Sequence, residues 1–153
     1  MRKWLKFTPV SKPGGRRKMK VVIDAGVVFS AAGWRGEAHR CLIAMAHRQV
    51  IAYATVETLN ELRNLLVDRG DKVKYSPVTT LNWYYDRVKL VEPAPLGKQR
   101  SRDVKDDPYL ACALAAGAKV IESRDEDLLA LKKPFGIQIL TPRELLTKLA
   151  RPI

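Results

Sequence analysis

The stretch Met19-Lys20-Val21-Val22-Ile23-Asp24 decides how the rest of the chain is read. An apolar run of strand length that closes on a carboxylate delivers that carboxylate to the rim of a sheet, where open α/β folds place their ligands. Beyond it the chain alternates strand-like and helix-like segments, the pattern of a parallel sheet covered on both faces. Strands are expected over 20–24, 50–54, 88–91, 119–122 and 137–140. Helices are expected over 37–47, 56–67, 78–87, 108–116, 126–132 and 142–149. The fold class is therefore α/β, a three-layer α/β/α sandwich whose central sheet is mostly parallel, with about five strands.

Local punctuation supports these boundaries. Asp107-Pro108 sets a cap residue before a proline at the first helical position, and Gly117 stands where that helix stops. Thr141-Pro142-Arg143-Glu144 has a Thr cap, a first-turn Pro and a Glu at capping-box spacing. Residues 93–102, with two prolines, Gly97 and three cations, read as a basic loop.

With 153 residues and 46% apolar content, the chain has the length and the core of one domain. Cys41 and Cys112 stand far apart in Ala- and Leu-rich stretches, without the close pairing of a zinc or redox motif. They read as small reduced core residues of a cytoplasmic protein. The formal charge of +12 is unevenly spread. Residues 1–20 hold eight of the 28 Lys and Arg and no acid, which leaves 20 basic and 16 acidic residues, a net of +4, for the remainder.

The organisation is thus a basic N-terminal extension over 1–18 and a domain over 19–153. The extension contains Trp4 and Phe7 but no apolar stretch suited to a signal peptide or membrane span. It reads as a solvated, disordered arm, or as the product of a start upstream of Met19. The functional reading is an arm whose cations meet phosphates while its aromatics stack on bases.

Acidic residues recur downstream of Asp24 at Glu61, Asp106 and Asp125. In a doubly wound sheet Asp24 and Asp125 both follow strands and share a rim. Asp106 lies at the start of the helix that leads into the second of those strands, and topology alone leaves its rim open. Glu61 falls about 40° beyond the apolar arc of Val56, Leu59, Leu62, Leu65 and Leu66 at about 100° per residue, a position that favours solvent. Asp107 reads as a helix cap, Asp103 as a solvated loop residue, and Asp125 and Asp127 as acids suited to a helix start. Asp24 and Asp106 have no such local explanation. His39 and His47 lie on one helix too far apart for an i,i+4 metal pair, so packing roles suit them.

Four segments together resemble the PIN-domain nucleases. Val22-Ile23-Asp24-Ala25-Gly26-Val27-Val28-Phe29-Ser30-Ala31 resembles the family's opening strand and turn, which typically read D-T-N-V with a nearby Ser. Glu61 in Thr55-Val56-Glu57-Thr58-Leu59-Asn60-Glu61-Leu62 resembles the helix-borne Glu. Residues 102–110 resemble the third motif, and Val120-Ile121-Glu122-Ser123-Arg124-Asp125-Glu126-Asp127-Leu128-Leu129 the fourth, commonly T-G-D-x-D-L-L. The order holds across 19–149, and the likeness is greatest to VapC-like toxin components of toxin-antitoxin systems. Two positions depart from the pattern: Gly26 stands for the usual Asn, and Arg124 for a common Gly.

The resemblance implies a PIN-like sandwich and a metal-dependent endoribonuclease. It implies catalytic roles for Asp24, Glu61, Asp106 and Asp125, which also bind the metal, with Asp127 as an outer ligand. An all-carboxylate site without His or Cys suits Mg²⁺ or Mn²⁺. Ser30, Lys98, Arg100, Arg102 and Arg124 are the substrate-binding candidates for RNA phosphates; as a loop cluster the cations suit solvent equally well. A small antitoxin partner and self-association follow from the resemblance, and no membrane association is expected. The competing reading is an RNA-binding module without catalysis. Aspartate-nucleophile phosphatases and receiver domains fit less well, because no second acid accompanies Asp24.

Overall fold

The computed structural model describes residues 18–74 and 76–151, so the extension expected over 1–18 lies, except for Lys18, outside the described residues. β1 (Met19–Ile23) leads into α1 (Ala25–Gly33) and α2 (Glu37–Ala46), and β2 (Val50–Ala54) into α3 (Val56–Arg69) and α4 (Val78–Arg87). The two-residue β3 (Lys89–Leu90) precedes a long loop, α5 (Asp107–Ala116), β4 (Val120–Glu122), α6 (Glu126–Leu129), β5 (Gln138–Leu140) and α7 (Pro142–Ala150). The strands form one sheet in the order β3-β2-β1-β4-β5, and every pairing is parallel. Among the described residues no helix is long and apolar enough to cross a membrane.

β1 is the centre of this sheet because its side chains are apolar on both faces: Val21, Val22 and Ile23 are all buried. Val21 pairs with Ala52 on one side and Val120 on the other. α5 lies against β1, β2 and β4, while α2 packs on β2, α1 and α7. Cys41 and Cys112 are free and buried, as small core residues.

Three local features differ from the sequence expectation. The segment after Asp24 is a helix and not a turn, because Ala25, Val27, Val28, Phe29, Ala31 and Ala32 are apolar on all sides and all become buried. Asp24 is its N-cap: Oδ1 accepts from the Gly26 N–H at 3.0 Å. The cap of α5 is Asp106, one residue earlier than expected, and Asp107 turns back to accept from the backbone N–H groups of Ser101 (2.7 Å) and Arg100 (2.9 Å). α3 is rotated from its apolar arc, with Val56 66% exposed while Thr58 and Leu62 are buried. The capping box between Thr55 and Thr58 anchors that rotation.

Two further helix ends behave as their residues dictate. Gly117 ends α5 in the left-handed conformation (φ 68°), which a Cβ would disfavour. Thr141 and Glu144 form the expected capping box of α7.

Candidate active site

The strand order reverses at β1: the chain runs outward through β2 and β3, then crosses back to place β4 on the other flank. In parallel sheets the carboxyl ends of strands on either side of such a reversal diverge and leave a crevice. Asp24 leaves β1 and the segment Ser123–Asp125 leaves β4 at that crevice. The Asp24 N–H donates to the Glu122 carbonyl at 2.9 Å, so the two strand exits are tied together.

Each acid there is oriented by a neighbour. The Ser123 hydroxyl donates to Asp24 Oδ2 at 2.6 Å and accepts from the Asp125 N–H at 2.9 Å. Asp125 caps α6, accepting from the Asp127 N–H at 2.8 Å. Glu61 reaches in from α3, where it accepts from the Tyr109 hydroxyl of α5; Tyr109 in turn accepts from the Ala25 N–H at 3.1 Å. With about 100° per residue, Glu61 sits about 60° from Thr58, so the rotation of α3 that buries Thr58 also turns Glu61 inward. It is half-buried and not the solvated residue that the apolar arc favours.

Asp106, 6% exposed, occupies the middle of this group. Burial, reinforced by the like charges of Asp125, Asp103, Asp24 and Asp127, pushes its carboxyl up to about 7. Burial also raises Asp24, opposed by the Ser123 and Gly26 hydrogen bonds, and raises Glu61, opposed by the Tyr109 bond.

The sequence model of the PIN domain matches residues 20–127. The chain belongs to the PIN-domain family. It thereby falls within a nuclease superfamily. Among solved structures its fold is similar to that of PAE2754 from Pyrobaculum aerophilum, with a TM-score of 0.60 and 23% identity over 86% of this chain and 90% of that one. No curated protein sequence matches the chain significantly.

Within this PIN domain, one oxygen each of Asp103, Asp106 and Asp127 lie within 4.8 Å of one another. Asp103 is thus part of the acidic group and not the solvated loop residue that its local sequence suggests. Its backbone placement comes from the short 3₁₀ turn Val104–Asp106, which its own side chain caps through the Lys105 N–H at 3.0 Å. An all-oxygen donor set of crowded carboxylates fits a hard divalent cation, which relieves their repulsion.

The cations divide by what they already hold. Arg102 pairs with Asp127 at 2.9 Å on an exposed edge of the acidic group. Arg124 donates to Ser30 Oγ at 3.4 Å and leans toward α1. Arg100 donates twice to the Leu96 carbonyl and stacks 5.1 Å from the Phe135 ring, so its guanidinium braces the loop. Lys98 is exposed in that loop. The His39 ring donates from Nδ1 to the Ala31 carbonyl at 3.0 Å, a packing contact between α2 and α1.

Ser123 and Tyr109 are the orienting residues that the sequence reading did not single out. A hydroxyl residue between the end of a strand and the fourth acid was the available signal for Ser123. Tyr109 carried none, because its two partners come from distant parts of the chain.

Proposed function

We propose that the chain is a metal-dependent endoribonuclease of the cytoplasm, the toxin of a toxin-antitoxin pair, that hydrolyses RNA phosphodiester bonds. The observation that carries this reading is the convergence on Asp106. A buried carboxyl grouped with Asp103 and Asp127, whose proton affinity is raised first by burial and then by four neighbouring carboxylates, is a site poised to exchange its proton for a divalent cation.

Asp24, Asp106 and Asp125 would hold Mg²⁺ or Mn²⁺, with Glu61, Asp127 and Asp103 around them. The bound cation supplies Lewis-acid stabilisation of the phosphate and a more acidic water. The chain's own residues set the geometry: Ser123 fixes the Asp24 carboxylate, Tyr109 fixes Glu61, and the α6 cap fixes Asp125. Ser30, Lys98, Arg102 and Arg124 would meet RNA phosphates, Arg102 from its pairing with Asp127 and Arg124 from its contact with Ser30, while Arg100 holds the loop that carries Lys98. A small antitoxin protein and self-association complete the proposal and rest on the toxin likeness of the motifs.

The experiment is RNA cleavage with and without chelator, for the parent chain and Asp24→Asn. Cleavage that chelation stops and Asp24→Asn removes, with an unchanged far-UV spectrum, supports the reading. Undiminished cleavage by that variant defeats it.

A second reading, an RNA-binding module with a degenerate PIN site, is favoured by Gly26, where the family motif has a polar Asn. Under it the chain binds RNA, shows no thermal stabilisation by Mn²⁺ and cleaves nothing.

A further inference from the structure

At the opposite end of the sheet from the acids, the amino ends of the strands open into two hollows that share Lys18. One, about 470 Å³, is lined by Lys18, Arg48, Arg87 and Lys89 over an apolar floor that includes Met45, Val50 and Trp83. The other, about 510 Å³, is lined by Lys18, Lys20 and Lys119 with Met19 and Gly117. Six exposed cations therefore share one rim, and among the described residues none that lines either hollow is acidic.

Two details show that this rim is built. The Arg87 guanidinium lies over the Trp83 ring, 4.9 Å from its centroid, and donates to the Trp83 carbonyl at 3.4 Å, which holds it at the hollow's edge. Arg48 occupies the left-handed conformation (φ 63°) at the end of α2, with its N–H on Met45 O and the Gln49 N–H on Ala44 O. That hydrogen-bond pair is a Schellman ending, a place where glycine is the relaxed residue. A strained arginine is kept where glycine would be more stable, and its side chain faces a basic hollow.

We propose that this amino-end rim is a docking face for the phosphate backbone of single-stranded RNA, separate from the acidic crevice. Charge complementarity selects a polyanion, and membership of a nuclease superfamily selects nucleic acid among polyanions; to that extent the inference rests on the nuclease reading. The chain itself adds to the argument: the residues that join Lys18 from the amino side carry six further Lys and Arg, Trp4 and Phe7, and no acid. Cations that neutralise phosphates, with aromatics beside them, are the elements of sequence-tolerant single-strand binding.

The test is fluorescence anisotropy of a labelled single-stranded RNA of about 20 nucleotides with the full chain in EDTA, across a salt series. The triple variant Arg48→Gly, Arg87→Gln, Lys89→Gln is expected to bind about tenfold more weakly or worse, with a log–log salt slope shallower by roughly 2. Arg48→Gly alone is expected to weaken binding while raising the Tm by about 2 °C, a combination that misfolding cannot produce. Unchanged affinity and slope in the triple variant overturn the proposal. So does a rim dependence that appears only with poly-glutamate or with phosphatidylserine vesicles and not with RNA. Because binding is read in EDTA, a failure of the cleavage reading appears in the cleavage assay alone and leaves this measurement interpretable.

Discussion

The Ser123 hydroxyl donates to Asp24 Oδ2 at 2.6 Å while its oxygen accepts the Asp125 N–H at 2.9 Å, so one side chain sets the geometry of both strand-exit acids. Loss of a residue that orients a metal-ligating carboxylate typically costs 10–100-fold in affinity or activity. Ser123→Ala is therefore expected to reduce Mn²⁺-dependent cleavage about 10- to 100-fold, and Ser123→Thr to retain most of it. Equal activity in Ser123→Ala and the parent would show that the hydroxyl has no such part.

Asp106 links cation affinity to pH. Its raised folded pKa, about 7 against 3.8, means that the cation-free protein gains stability from protonated Asp106 at low pH and loses it as the pH climbs toward 7. A cation binds the deprotonated form, so its effect runs the other way. The Mn²⁺-induced rise in Tm should be small near pH 5 and grow through pH 7, and Asp106→Asn should remove that growth. A rise in Tm that is flat across this range would contradict the assignment.

Gly26 offers a gain-of-function test. Among the described residues a Cβ at this position meets only Asp24 Oδ1, at 3.7 Å, an ordinary contact, so the backbone accepts a side chain where the family motif has Asn. The backbone N–H at position 26 that donates to the Asp24 cap is retained in the substitution. Gly26→Asn is expected to raise cleavage or cation affinity several-fold without lowering the Tm. Loss of both on introducing Asn would count against the correspondence of these motifs.

Glu122 is a buried carboxyl at the end of β4. The Cys41 thiol beside it donates to the Pro142 carbonyl at 3.6 Å. Burial raises its folded pKa to about 7 from 4.5, so its protonated form favours the fold below about 4.5 and stability falls as the pH rises through 7. Over that interval the loss is on the order of 2 to 3 kcal/mol. Glu122→Leu should flatten this part of the stability profile and stabilise the protein at pH 8 by about 1–3 kcal/mol in urea denaturation. A destabilised variant at pH 8 would point to a partner for Glu122 that the fold conceals.

Much of the architecture was legible because it rests on short-range patterns. The order of strands and helices, the strand that ends on Asp24, the stop at Gly117 and the capping box at Thr141 all follow from hydrophobic period and cap chemistry. α1 was missed for the same reason that it exists: Ala25 to Ala32 is apolar on every side, so no amphipathic stripe marks it as a helix. α3 misled in the opposite sense, since its apolar arc includes the exposed Val56, and the true inward face passes through a threonine.

By itself the sequence determined which acids exist, their order, and that Asp24 and Asp125 leave strands at a common rim. Only the tertiary structure decided that Asp103 joins Asp106 and Asp127, that Tyr109 holds Glu61 from 48 residues away, and that Ser123 grips Asp24 across 99. The physical reason is one of range. Periodicity and caps describe a residue's relation to its own helix or strand, whereas a crevice is defined by which strand ends the crossover brings side by side. That choice depends on packing the whole core, and it also places the cations of the amino ends at one rim and the carboxylates at the other.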